Sequence, residues 1–73
     1  MTTNQTEKAW AHGLGVSAFI GGKSSVPAHD PLLMKMIATN TGKPSSNDNA
    51  SVLELLTEWG NGWHKANLAA PVA

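Results

Sequence analysis

Apolar residues recur along this chain at helical spacing. The clearest case lies near the C-terminal end, where Val52, Leu56, Trp59, Trp63 and Ala66 follow one another at intervals of four, three, four and three. Glu54, Thr57, Glu58, Asn61 and Lys65 fall mainly outside that face. The spacing predicts a helix running to about Asn67 or Leu68. A second pattern covers Glu7–Ile20. Ala11, Gly15, Ala18 and Gly22 make a stripe of small residues, with Trp10 and Leu14 beside it and no strand alternation. Gly13 and Gly15 each cost roughly 1 kcal/mol inside a helix relative to Ala, so this helix needs a tertiary partner pressing close. Between the two lies a short helix of two or three turns with Leu33, Met36 and Ile37 as its stripe. Leu32, Met34 and Ala38 spread apolar surface around the rest of it.

The punctuation agrees with these elements. Asn4 with Glu7, and Ser51 with Glu54, have the spacing of a capping box, with Ala50 and Leu55 placed to staple the second. Gly21-Gly22 suits a left-handed cap ending the first helix. Asp30-Pro31 suits the start of the middle one, with Asp as cap and Pro in the first turn. Asn40-Thr41-Gly42 stops it. Residues 42–49, small, polar and broken by Pro44, read as a mobile linker. The expected organisation is a single helical domain over 6–68, with disordered tails at 1–5 and 69–73.

The expected architecture is therefore all-α: a small domain of about three helices. The first and last pack through the Gly/Ala stripe against a Trp pair, and the short middle helix covers an open side. The core is expected from Trp10, Leu14, Gly15, Ala18, Gly22, Leu56, Trp59, Gly62, Trp63 and Ala66. Each Trp removes on the order of 200 Å² from water when buried, and needs a receding surface opposite it.

Composition narrows what such a domain does. The chain has 73 residues and no cysteine, so neither a disulfide nor a thiolate–metal site staples it. Five Lys balance five acidic residues and Arg is absent. That weighs against nucleic acid, whose binders show a basic excess and use the Arg fork. It also weighs against a polybasic membrane-surface segment. The longest apolar run is far short of the ~20 residues that span a bilayer. The polar start, Met1 to Glu7, does not read as a signal peptide. A cytoplasmic protein is expected.

Two blocks carry a resemblance. Gly15-Val16-Ser17-Ala18-Phe19-Ile20-Gly21-Gly22-Lys23-Ser24 resembles the first block of ribosome modulation factor and its relatives, Gly-x-x-Ala-x-Ile-x-Gly-basic-Ser. Trp59-Gly60-Asn61-Gly62-Trp63-His64-Lys65-Ala66 is similar to the second, Trp-x-x-Gly-Trp-x-x-Ala. The resemblance implies two helices packed through small residues against a Trp pair, and a ribosome-binding translation inhibitor. Three departures stand beside it. Arg and net charge are missing, Ala28 follows Pro27 where the family has Tyr, and Asp30–Asn49 is added between the blocks. By size and type the chain also resembles the very small regulators that tailed phages, including one infecting Xanthomonas, make against host RNA polymerase. That resemblance implies protein–protein contact with bacterial RNA polymerase in the host cytoplasm, blocking initiation or promoting antitermination.

Other motifs give way to plainer readings. Gly22-Lys23-Ser24 resembles the end of a phosphate loop, but Ser17 stands where its first Gly belongs, and a helix precedes it instead of a strand. His12, His29 and His64 include no pair at metal-ligand spacing, and Ser24 and Ser25 lack a triad. No cofactor or metal is expected, nor an enzyme. Trp59 and Trp63 have the rings to stack RNA bases, yet their helical spacing assigns them to the core. Phe19 shares a stripe with Lys8, His12 and Gly15, so either the helix frays and Phe19 turns inward, or it stands out as an aromatic anchor. The second option defines a candidate partner patch of Phe19, Lys23, Val26, Pro27, His29, Leu32 and Met34.

Overall fold

A computed structural model describes residues 3–69. Its elements are three helices, α1 (Asn4–Ile20), α2 (Pro31–Asn40) and α3 (Val52–Ala69), with a 3₁₀ turn at Pro27–His29 before α2. The described residues contain no strand.

The helix ends follow the local chemistry of the sequence, with one shift. Thr3, not Asn4, caps α1, its hydroxyl accepting from the Thr6 amide at 3.2 Å. Asn4 and Gln5, expected in a disordered tail, are therefore helical, and Ala69 closes α3. The remaining expected tail positions, 1–2 and 70–73, lie outside the described residues. At the other end of α1, Gly22 takes φ +75°, its amide bonds Phe19 O at 3.0 Å and Lys23 N bonds Ala18 O at 2.9 Å. That is the doubly bonded left-handed C-terminal motif. Asp30 caps α2 by accepting from the Leu32 and Leu33 amides at 3.0 and 3.2 Å. In α3 the capping box is complete: Ser51 N donates to Glu54 Oε1 at 2.9 Å and Glu54 N donates to Ser51 Oγ at 3.2 Å.

α1 and α3 pack extensively. The small stripe is what lets them: Ala11, Gly15 and Ala18 are its buried residues. A Cβ on Gly15 would overlap the carbonyl of Trp59, and one on Gly62 would overlap the carbonyl of His12. The two helices thus meet backbone to backbone, each supplying the glycine the other requires. The Trp side chains leave this contact for different neighbours. Trp59 is 1 % exposed and donates its indole N–H to Asp30, whereas Trp63 is half-buried and bonds Lys23 O at 3.1 Å.

The core closes with Leu33 of α2, Ala50 before α3, and Leu55, all fully buried. Leu55, one position before Leu56, takes the central place, while Leu56 and Ala66 are only half-buried. Two expected core residues are corrected. Trp10 is 54 % exposed, because its position next to Ala11 turns it about 100° from the buried stripe. Gly22 is exposed and serves the cap instead of the helix contact.

The segment read as a mobile linker is exposed over 42–48 but tied down. Asn4 N donates to Asn47 O, and Asn4 Nδ2 to Ser45 Oγ and Asn49 O, at 3.0, 3.2 and 3.0 Å. Asn49 Nδ2 reaches Pro44 O at 3.0 Å, closing the loop on itself. Glu7 Oε1 accepts from Ala50 N at 2.7 Å and from the buried Asn40 Nδ2 at 3.0 Å. The start of α1 thereby holds the end of α2 and the start of α3.

Candidate partner-binding groove

Beside the buried stripe of α1, the residues Trp10, Gly13, Leu14 and Ser17 recur at i, i+3, i+4 and i+7 and form one wall of a groove. The facing wall repeats the same spacing on α2: Leu32, Lys35, Met36 and Thr39. Between them lies a groove of about 620 Å³. Trp10 and Leu32 stand at its rims, 54 and 59 % exposed. Its floor is open at Gly13, where a Cβ would meet nothing within 4 Å. Gly13 is therefore unlike Gly15: it admits no neighbouring backbone and leaves room instead.

Lys35 is the one charged residue lining this groove. The one ion pair among the described residues, Lys8 Nζ to Glu54 Oε2 at 3.8 Å, lies elsewhere. A smaller cleft of about 120 Å³ shares Leu14, Ser17 and Leu32 and extends to Lys23 and Asp30. Asp30 is 8 % exposed, and its oxygens already accept from Leu32 N, Leu33 N and Trp59 Nε1.

The partner patch expected from sequence is divided by the fold. Phe19 packs edge-to-face on Trp63, ring centroids 5.2 Å apart at 89°, so it is no free anchor; it does so without the expected fraying, since α1 stays helical through Ile20. Met34 packs against the core. Val26 is exposed, Pro27 half-buried, and His29 exposed with Ser24 Oγ 3.4 Å from its Nδ1. None of these three lines the groove. Leu32 does, and Lys23 stands at its extension. Trp10, Gly13, Leu14 and Met36 were not expected there, although the spacing of 10, 13, 14 and 17 is visible in the sequence once the 11–15–18 stripe is assigned to α3.

A polar cluster at the opposite end has a structural role. Glu54 is held at a pKa of about 2, well below the usual carboxylate range. The Ser45 hydroxyl contributes most, then the Ser51 amide, with Asn4 and the Lys8 charge adding to them against partial desolvation. The Gly21, Gly22 and Lys23 amides are all used by α1's own carbonyls, so the Gly-Gly-Lys-Ser segment offers no phosphate cradle. No group of three His, Asp or Glu suited to a metal occurs among the described residues. Among the described residues, no helix is long and apolar enough to cross a membrane.

No family model, no curated protein and no solved structure matches the chain.

Proposed function

We propose that this protein is a small phage-type regulator that binds bacterial RNA polymerase by protein–protein contact and inhibits initiation or promotes antitermination. The observation that carries the reading is the groove between α1 and α2, rimmed by Trp10 and Leu32. Exposed Trp beside aliphatic side chains is the make-up of interface anchors, and a lining with one charge suits a protein surface better than phosphate. The polymerase itself comes from the resemblance in size and type to the phage regulators. The mechanism is steric: a domain this small acts by occupying a polymerase surface that another factor needs.

The two blocks shared with ribosome modulation factor contain Gly15, Trp59, Gly62 and Trp63, which build the α1–α3 contact and Trp59's link to α2. They bear on fold more than on ribosome binding, which stands as the alternative. The test offers purified RNA polymerase and purified ribosomes to the immobilised protein, then adds it to a transcription reaction on a template with an intrinsic terminator. Retention of polymerase with altered initiation or read-through supports the proposal. Retention of ribosomes alone replaces it with the translation reading.

A further inference from the structure

The groove also specifies what kind of segment fills it; this builds on the reading of that groove as the partner site. We infer that its occupant is a short amphipathic helix of the partner, with apolar residues on one face and Asp or Glu beside them.

Three observations support this. First, both walls are helices whose lining residues repeat at i, i+3, i+4 and i+7, and a third helix packs into a furrow of that geometry by setting its own ridge between the two. The walls' amides and carbonyls are engaged within α1 and α2, so neither offers the free edge that an added strand requires. Second, the α1 wall from Ala9 to Ser17 rises roughly 12 Å, which matches two to three turns of a partner helix. Third, the charges available to a ligand are positive. Lys35 lies on the wall with no carboxylate among the described residues within salt-bridge distance, and Lys23 stands at the far end. The neighbouring Asp30 has its oxygens committed to three N–H groups. A second copy of this chain fits less well, since a two-fold contact through the groove brings two Lys35 side chains into one apolar interface with no acid to meet them.

A display library of random twelve-residue peptides, selected on the whole protein, tests this. The expected winners carry Leu, Ile, Met or Phe at i, i+3 or i+4, and i+7, with Asp or Glu alongside. A synthetic winner should lose at least about tenfold in affinity for Lys35→Glu, and regain it when its acids are changed to Lys. Gly13→Leu, which raises helix propensity while filling the floor, should abolish binding in a protein whose circular dichroism melt is undiminished. The inference is overturned by the absence of an enriched family, by winners without acids, by binding that Gly13→Leu leaves intact, or by wild-type dimers that Gly13→Leu dissociates. Purified polymerase assayed alongside separates the two proposals. Peptide selection as expected without polymerase binding leaves the groove assignment standing and removes the polymerase. Polymerase bound equally by Gly13→Leu does the reverse.

Discussion

Trp59 Nε1 donates a 2.8 Å hydrogen bond to Asp30 Oδ2, joining the middle of α3 to the first turn of α2. The same carboxylate caps α2 through its other oxygen. One side chain therefore starts α2, satisfies the only polar atom of the most buried aromatic ring, and ties the first turn of α2 to α3. Replacing Asp30 with Ala removes a helix cap, about 0.5–2 kcal/mol, and leaves a buried indole N–H unpaired, about 1–3 kcal/mol. A loss of roughly 2–4 kcal/mol in urea unfolding is expected. Trp59→Phe in the Asp30→Ala background should cost less than in the wild type, because the N–H it removes is already unpartnered.

The glycines divide into two classes with opposite expected outcomes. Gly15→Ala and Gly62→Ala place a methyl against backbone atoms that cannot rotate aside, so each should lose at least about 3 kcal/mol or fail to fold. Gly13→Ala meets open space and should gain roughly 0.5–1 kcal/mol from helix propensity. Denaturant midpoints of the three variants check the contrast.

Acid should loosen the junction of α1, the 42–49 loop and α3. Glu54 is depressed from 4.5 to about 2 by its hydrogen bonds in the folded state. A depressed carboxylate contributes stability that is complete above the unfolded pKa and fades as pH falls through the folded one. The melting temperature should therefore decline from about pH 4.5 down to about pH 2. Glu54→Gln should be less stable at neutral pH and show a shallower decline across that window, read by circular dichroism melts at stepped pH.

Trp10 should report on the partner and not on the fold. Trp10→Ala is expected to cost no more than about 1 kcal/mol, against about 3–5 kcal/mol for Trp59→Ala. Trp63, half-buried, should fall between them. Acrylamide quenching of Trp10 emission in a variant with Trp63 changed to Phe should drop when the partner binds.

The helices were legible because their signals are local: a cap such as Asp30-Pro31, the Ser51–Glu54 box, and apolar residues repeating every three or four positions. The closeness of α1 and α3 was legible in part: Gly13 and Gly15 both called for a nearby element, but only Gly15 meets a backbone, while Gly13 faces open space. What local pattern left undecided was which of two adjacent faces of α1 turns inward. Trp10 is as apolar as a core residue, and only the occupancy of the 11–15–18 stripe by α3 pushes it outward. The 42–49 loop misled for a related reason. Its polarity is that of a free tether, but the Ser45 hydroxyl and the Asn47 and Asn49 carbonyls find a partner in Asn4, which lies far away in sequence. The Phe19 patch failed because an aromatic at the end of α1 meets Trp63 from α3, a contact no spacing within α1 reveals.

The most direct measurement is equilibrium binding of purified bacterial RNA polymerase to the wild-type protein and to Gly13→Leu, each at low and at several-fold higher salt. The wild type should bind with little loss at high salt, and the variant, equally well folded, should not bind. Polymerase that ignores the wild type, or that holds both proteins alike, contradicts the proposal.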